Sequence, residues 1–155
     1  MKPITDDLYK KIVRVSDEVK KELLRKGLVI PMDNADGSIS IGNFRIVRKD
    51  NSFYSIVDFE GESIVDQINL PQSAIMLANT LALGRHVDSR IEGLDKSYGY
   101  ALFEEQLHEQ AVKNSQKKSL DYFDLMLTKC LIARAKKEDY KREIINSFEK
   151  LRKLV

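Results

Sequence analysis

Apolar positions fall at helical spacing toward both ends of the chain and alternate with polar ones between. From Ser115 to Val155 there is neither Gly nor Pro. Leu120, Phe123, Leu127, Leu131, Ala135, Ile144, Phe148, Leu151 and Val155 follow one another mostly at steps of three or four. That spacing stacks side chains on one helical face. The stripe is interrupted once, by Lys136-Lys137-Glu138-Asp139-Tyr140-Lys141-Arg142-Glu143. A continuous helix here would be roughly 60 Å long at its rise of about 1.5 Å per residue. A domain of this size has a radius of gyration of only about 15 Å. Such a rod overhangs its own globule, so it bends, breaks at the charged gap, or packs against something outside its subunit. At the other end, Thr5 to Lys26 reads as an amphipathic helix with Leu8, Ile12, Val15, Val19 and Leu23 in an a/d-like stripe. Thr5 is its N-cap, Asp6 and Asp7 suit the positive end of the dipole, and Gly27 supplies the stop.

Between these ends the pattern predicts a small sheet and a buried helix. Met32-Asp33-Asn34-Ala35-Asp36-Gly37 reads as a loop of turn formers. Ser38 to Arg48 alternates, with a turn or bulge at Gly42-Asn43. Phe53 to Phe59 and Ser63 to Ile68 complete a three-stranded antiparallel meander. Pro71 to Gly84 is the best-punctuated helix. Proline suits its first turn, glycine ends it, and Ala74, Ile75, Leu77, Ala78, Leu81 and Ala82 make it apolar nearly all round, as a core helix is. Asp88 to Asn114 is helical with Gly93 and Gly99 inside it. Each costs about 1 kcal/mol relative to alanine, so a short helix followed by a longer one is expected. Leu94, Tyr98, Ala101, Leu102, Leu107 and Ala111 give the longer one its apolar face, and Asn114-Ser115-Gln116 turns it into the last helix.

The fold class is therefore α+β in one domain over 1–155. An N-terminal helix (1–30) precedes a three-stranded meander covered by a buried helix (38–84), and a long C-terminal αα-hairpin (88–155) follows. No apolar run reaches the roughly 20 residues of a membrane span, and the first residues lack the apolar core of an export signal. The single cysteine, Cys130, excludes an internal disulfide and fits a reducing cytosol, where it serves as a small hydrophobe in the helical stripe.

Net charge is +2 but unevenly spread. Residues 1–30 carry eight Lys/Arg against five Asp/Glu, residues 31–110 six against thirteen, and residues 111–155 twelve against six. An acidic middle thus lies between two basic helical ends. Such ends can meet phosphates, the protein's own acidic middle, or water. Within the last helix Arg134, Lys137 and Lys141 form one ridge at steps of three and four. That ridge is the candidate for an accessory nucleic-acid-binding role, although Glu138, Asp139 and Glu143 interrupt it and only Tyr140 offers a ring for stacking.

Catalytic chemistry has few supports. His86 lies beside Asp88 without a marked nucleophile. Glu105-x-x-His108 is half of a carboxylate-bridged di-metal motif whose second half is missing, so Glu104, Glu105, His108 and Glu109 read as a solvated acidic face. Asp33, Asn34, Asp36 and Gly37 resemble a calcium loop without its closing glutamate, so turn chemistry is the reading. Asp121 and Asp124 suit the start of a helix. The glycines make no phosphate loop, and Cys130 has no neighbour that would activate its thiol. No catalytic, cofactor-binding or metal-binding residue is assigned.

The order of parts, with "IGNFRIVRKDNSFYSIVD", "LPQSAIMLANTLALG" and "LDKSYGYALFEEQL" before a charged helical tail, resembles small proteins of uncharacterised role encoded by large contractile-tailed bacteriophages, especially marine ones. The resemblance spans residues 38–150 and implies a setting, an infected bacterial cell or the virion, without a family activity. The expectation is a non-enzymatic structural or protein-interaction protein that associates with itself. Its interface is Leu8, Ile12, Val15, Val19 and Leu23 with Phe123, Leu127, Leu131, Phe148 and Leu151.

Overall fold

The computed structural model describes residues 29, 31–49, 53–117 and 119–153. The expected helix from Thr5 to Lys26, with its five interface residues, lies outside the described residues.

The meander has five strands, not three: β1 (Pro31–Asp33), β2 (Ile39–Ile41), β3 (Phe44–Lys49), β4 (Phe53–Val57) and β5 (Ser63–Ile68). They pair in sequence order, every neighbour antiparallel. Two local features raise the number. Gly42 and Asn43 form a full two-residue turn, so the alternating run 38–48 is two strands; Gly42 sits at φ 61°, in the left-handed region. A Cβ there would also stand 2.9 Å from the Ala82 Cβ, because this turn rests on the following helix. Met32 and Asp33, expected within the loop, pair with β2 together with Pro31 instead.

The connecting turn holds its own polar groups. Asp36 Oδ1 accepts from the Ser38 amide and hydroxyl, and Asn34 Nδ2 donates to Ser38 and Ser40. Hydrogen bonds from Ser38 hold the Asp36 carboxyl below its ordinary value. This is the expected turn chemistry.

The sheet has one apolar face. Ile39, Ile46 and Ile56 lie in register across β2, β3 and β4, and all three are buried, as are Ile41 and Ile68. On them lies α1 (Pro71–Ala82), whose Ala74, Ile75, Leu77 and Ala78 are buried as its sequence demands. No side chain of its own caps the start of α1. Asp95, buried on the next helix, does so instead: its carboxylate accepts from the Asn69 amide at 2.8 Å and the Leu70 amide at 3.0 Å. Those two donors would otherwise enter the core unpaired.

Two long helices complete the chain. α2 (Ser89–Lys113) starts at Asp88, whose carboxylate accepts from Arg90 and Ile91. α3 (Leu120–Arg152) starts at Ser119 after a 3-10 turn (Asn114–Lys117) and runs unbroken through the charged gap. Its 33 residues make it about 50 Å long. Arg90, in the first turn of α2, donates to Ser147 near the end of α3, while Glu105 meets Arg134 and Lys137. Ile144 and Phe148 of α3 and Ile91 of α2 join the core under α1.

α2 does not break at its glycines, because one of them is required. A Cβ on Gly99 would overlap the Asn69 side-chain amide and stand 3.0 Å from its Cγ, and Asp95 holds that amide in place. Nothing lies within 4 Å of a Cβ on Gly93. The two positions should respond oppositely to one substitution. Gly93→Ala should gain up to about 1 kcal/mol of stability from helix propensity. Gly99→Ala should lose about 2 kcal/mol, the overlap outweighing that gain. Urea unfolding of both variants checks the signs, and equal gains would remove the role given to Asn69.

Candidate interaction surface

Burial divides α3 into two halves. Toward its C-terminal end, Phe148 is 6% exposed within the core and Leu151 packs against it. Both belong to their own subunit's interior, so they leave the expected interface. Toward its N-terminal end, Phe123 is half-buried, Leu127 is exposed and Leu131 is 49% exposed. The sequence places all of these on one stripe because helical periodicity gives direction and says nothing of how far the core extends along the axis.

Leu120, the first residue of the stripe, is 74% exposed, and Leu125 and Ile132, outside the stripe, are exposed too. On α2, Tyr100 (71% exposed), Phe103 and Leu107 stand out at steps of three and four, which places them on one face. Among the described residues twelve large apolar side chains are exposed, and eight of them lie in 100–107 and 120–132. Leu120, Leu127 and Leu131 share one side of α3, whereas Leu125 and Ile132 lie about 120–140° round the helix from them. The three-four spacing of Tyr100, Phe103 and Leu107 is legible in the sequence. What hid it was the assignment of Leu107 to the same face as Ala101, which is buried.

Between the two helices the side chains are small, Ala101, Cys130 and Ala133, with one ionic group among them. Glu105 is 7% exposed, not part of a solvated face. Its Oε2 accepts from Arg134 Nε and its Oε1 from Lys137 Nζ, each at 3.0 Å. Burial alone would raise the Glu105 carboxyl, but the hydrogen bonds from Lys137 and Arg134 outweigh it and hold the group below its ordinary range. For Lys137, burial works against the charge and Glu105 more than restores it, so the ammonium is pushed up. The Cys130 thiol points at the Glu105 carbonyl, 3.7 Å away.

This arrangement bears on the other candidate sites. Arg134 and Lys137, two of the three residues of the basic ridge, turn to Glu105, while Lys141 is half-buried. Both Glu105 oxygens are occupied by cations, so the Glu105/His108 pair does not present a free carboxylate. No group of three His, Cys, Asp or Glu among the described residues could hold a metal ion. Asp88, beside the exposed His86, is engaged as the cap of α2. No helix among the described residues is long and apolar enough to cross a membrane.

No family model, curated protein or solved structure matches the chain.

Proposed function

We propose that the chain is a non-enzymatic protein-interaction protein that associates with copies of itself, α2 and α3 acting together as one helical hairpin. One observation carries the reading: the half of this pair remote from the core turns large apolar side chains outward, Leu127 and Leu131 among them. With Leu120 these two make an exposed apolar stripe on one side of α3, and such surfaces mark interaction sites. The groups best suited to chemistry have structural partners: Asp95 holds the start of α1, Asp88 caps α2, and Glu105 binds two cations.

The sheet is a poor alternative surface for pairing. Its edges are β1, which has three residues and begins at Pro31, and β5, which is bulged. In β5 Gln67 sits at φ 57°, and Asp66 turns its carboxylate to the hydroxyls of Ser55 and Ser63. Short, bulged and charged edges discourage strand addition.

Sedimentation at tens of micromolar should give a discrete oligomer. Leu120→Asp with Leu131→Asp should give a monomer whose melting temperature stays within a few degrees, because these side chains are already 74% and 49% exposed in the isolated subunit. A monomeric wild-type chain would end the proposal.

A further inference from the structure

We propose that the β4–β5 turn of one copy docks on α3 of a second, Phe59 meeting Leu125 and Ile132 while Glu60 and Glu62 meet Lys129 and Lys136. The contact uses a side of α3 away from Leu120, Leu127 and Leu131. It therefore goes beyond the self-association proposed above and stands on other residues. Segregated charge carries it. Residues 50–84 hold five Asp/Glu and no Lys or Arg, whereas residues 125–137 hold four Lys/Arg and no Asp or Glu.

The turn is a projection fixed by its own hydrogen bonds. The Asp58 amide donates to the Glu62 carbonyl and the Gly61 amide to the Asp58 carbonyl, while Asp58 Oδ1 accepts from the amides of Glu60 and Glu62. Phe59 stands on it 80% exposed, more than any other large apolar side chain among the described residues. A ring held out in this way loses little freedom when a partner covers it, and aromatic anchors dominate many interfaces.

On α3, about 100° of turn per residue puts Leu125, Lys129, Ile132 and Lys136 within about 60° of one another, on a strip roughly 17 Å long. Leu125 is 50% and Ile132 51% exposed, and both lysines are exposed. Arg134 and Lys137 answer Glu105 inside the subunit, but among the described residues Lys129, Lys136, Glu60 and Glu62 have no ion pair. Acids bound the strip, Asp121 one turn before it and Glu143 two turns after. Because Phe59, Leu125 and Ile132 are all wet in one copy, the turn does not lie on its own helix. Turn against turn and strip against strip bring like charges together, so the unlike surfaces meet. Such a contact leaves one turn and one strip free at each end, and assemblies joined by it grow. It is far smaller than a standard interface, so it forms only at high concentration.

Light scattering on the full-length chain in low salt should show a mass that keeps rising from tens to several hundred micromolar. About 0.5 M salt should remove the rise. Phe59→Ser, or Lys129→Glu with Lys136→Glu, should weaken this growth at least about tenfold and leave the assembly at tens of micromolar unchanged. Adding Glu60→Lys with Glu62→Lys to the reversed lysines should restore it. Circular dichroism confirms that each variant is folded. A mass constant over that range would overturn the contact, as would growth that survives Phe59→Ser or that the paired reversal fails to restore. A chain that is monomeric at tens of micromolar yet grows above it, with these sensitivities, would end the reading above and uphold this one.

Discussion

Replacing Asp95 with alanine should cost about 4 kcal/mol, enough to unfold much of a domain whose total stability is about 5–15 kcal/mol. The size follows from what would be left behind. The amides of Asn69 and Leu70 both end on this one carboxylate, and the Asn69 side chain is anchored by it. Without it, two backbone donors at the start of a buried helix have no acceptor, each costing about 1–3 kcal/mol. Asp95→Asn keeps an acceptor for one amide and turns a donor toward the other, so it should fall about midway. Urea titrations should show the midpoint falling in the order wild type, Asn, Ala with the slope unchanged. An alanine variant within 1 kcal/mol of wild type would mean that water or a shifted backbone replaces the carboxylate.

Glu105→Ala should cost about 3 kcal/mol, because it strands the Lys137 ammonium in a site where its side chain is only 15% exposed. Removing both partners, as Glu105→Ala with Lys137→Met, should return most of that loss, since no buried charge is then unanswered. The effect should also depend on pH with a definite sign. The folded carboxyl titrates below its ordinary value of 4.5. As pH falls through that ordinary value the unfolded chain takes up the proton first, so the stabilisation is complete above it and disappears as pH falls through the folded value. The gap between wild type and Glu105→Ala should therefore close in acid. At the alkaline end the raised Lys137 keeps its contribution up to its ordinary value of 10.5, losing it as pH rises through the folded value. A gap constant from pH 7 down to pH 2 would show that the carboxylate's charge is not what holds the helices.

Local sequence signals served well where the cause was local. Pro71 and Gly84 bracket α1, and Asp36 and Gly37 make a turn, because both effects act within a few residues. The strand number failed at Gly42, where one residue decides between a bulge and a full turn, and at β1, whose three residues carry too little pattern to be read as a strand. Gly99 misled in the other direction. Its missing side chain reads as a helix weakness, yet it makes room for Asn69, thirty positions earlier. Asp95 and Glu105 were opaque for the same reason. An acid in a helix looks solvated until the donors that will bury it, from the start of α1 and from α3, are in place. The split stripe of α3 shows what periodicity omits. Leu127 and Phe148 share a helical face, and only the length of the core along the axis tells one from the other.

That length has a consequence for how the protein is made. Ile144 and Phe148 fill the same core as Ile39, Ile56 and Ile75, so the interior opened by the meander is closed by residues the ribosome adds more than 60 positions after α1 (Ile144 against Ala82). At about 5–20 residues per second, the nascent sheet and α1 wait several seconds with one side bare. Through that interval the emerging chain depends on chaperones, or on its own dilution, to stay free of its neighbours.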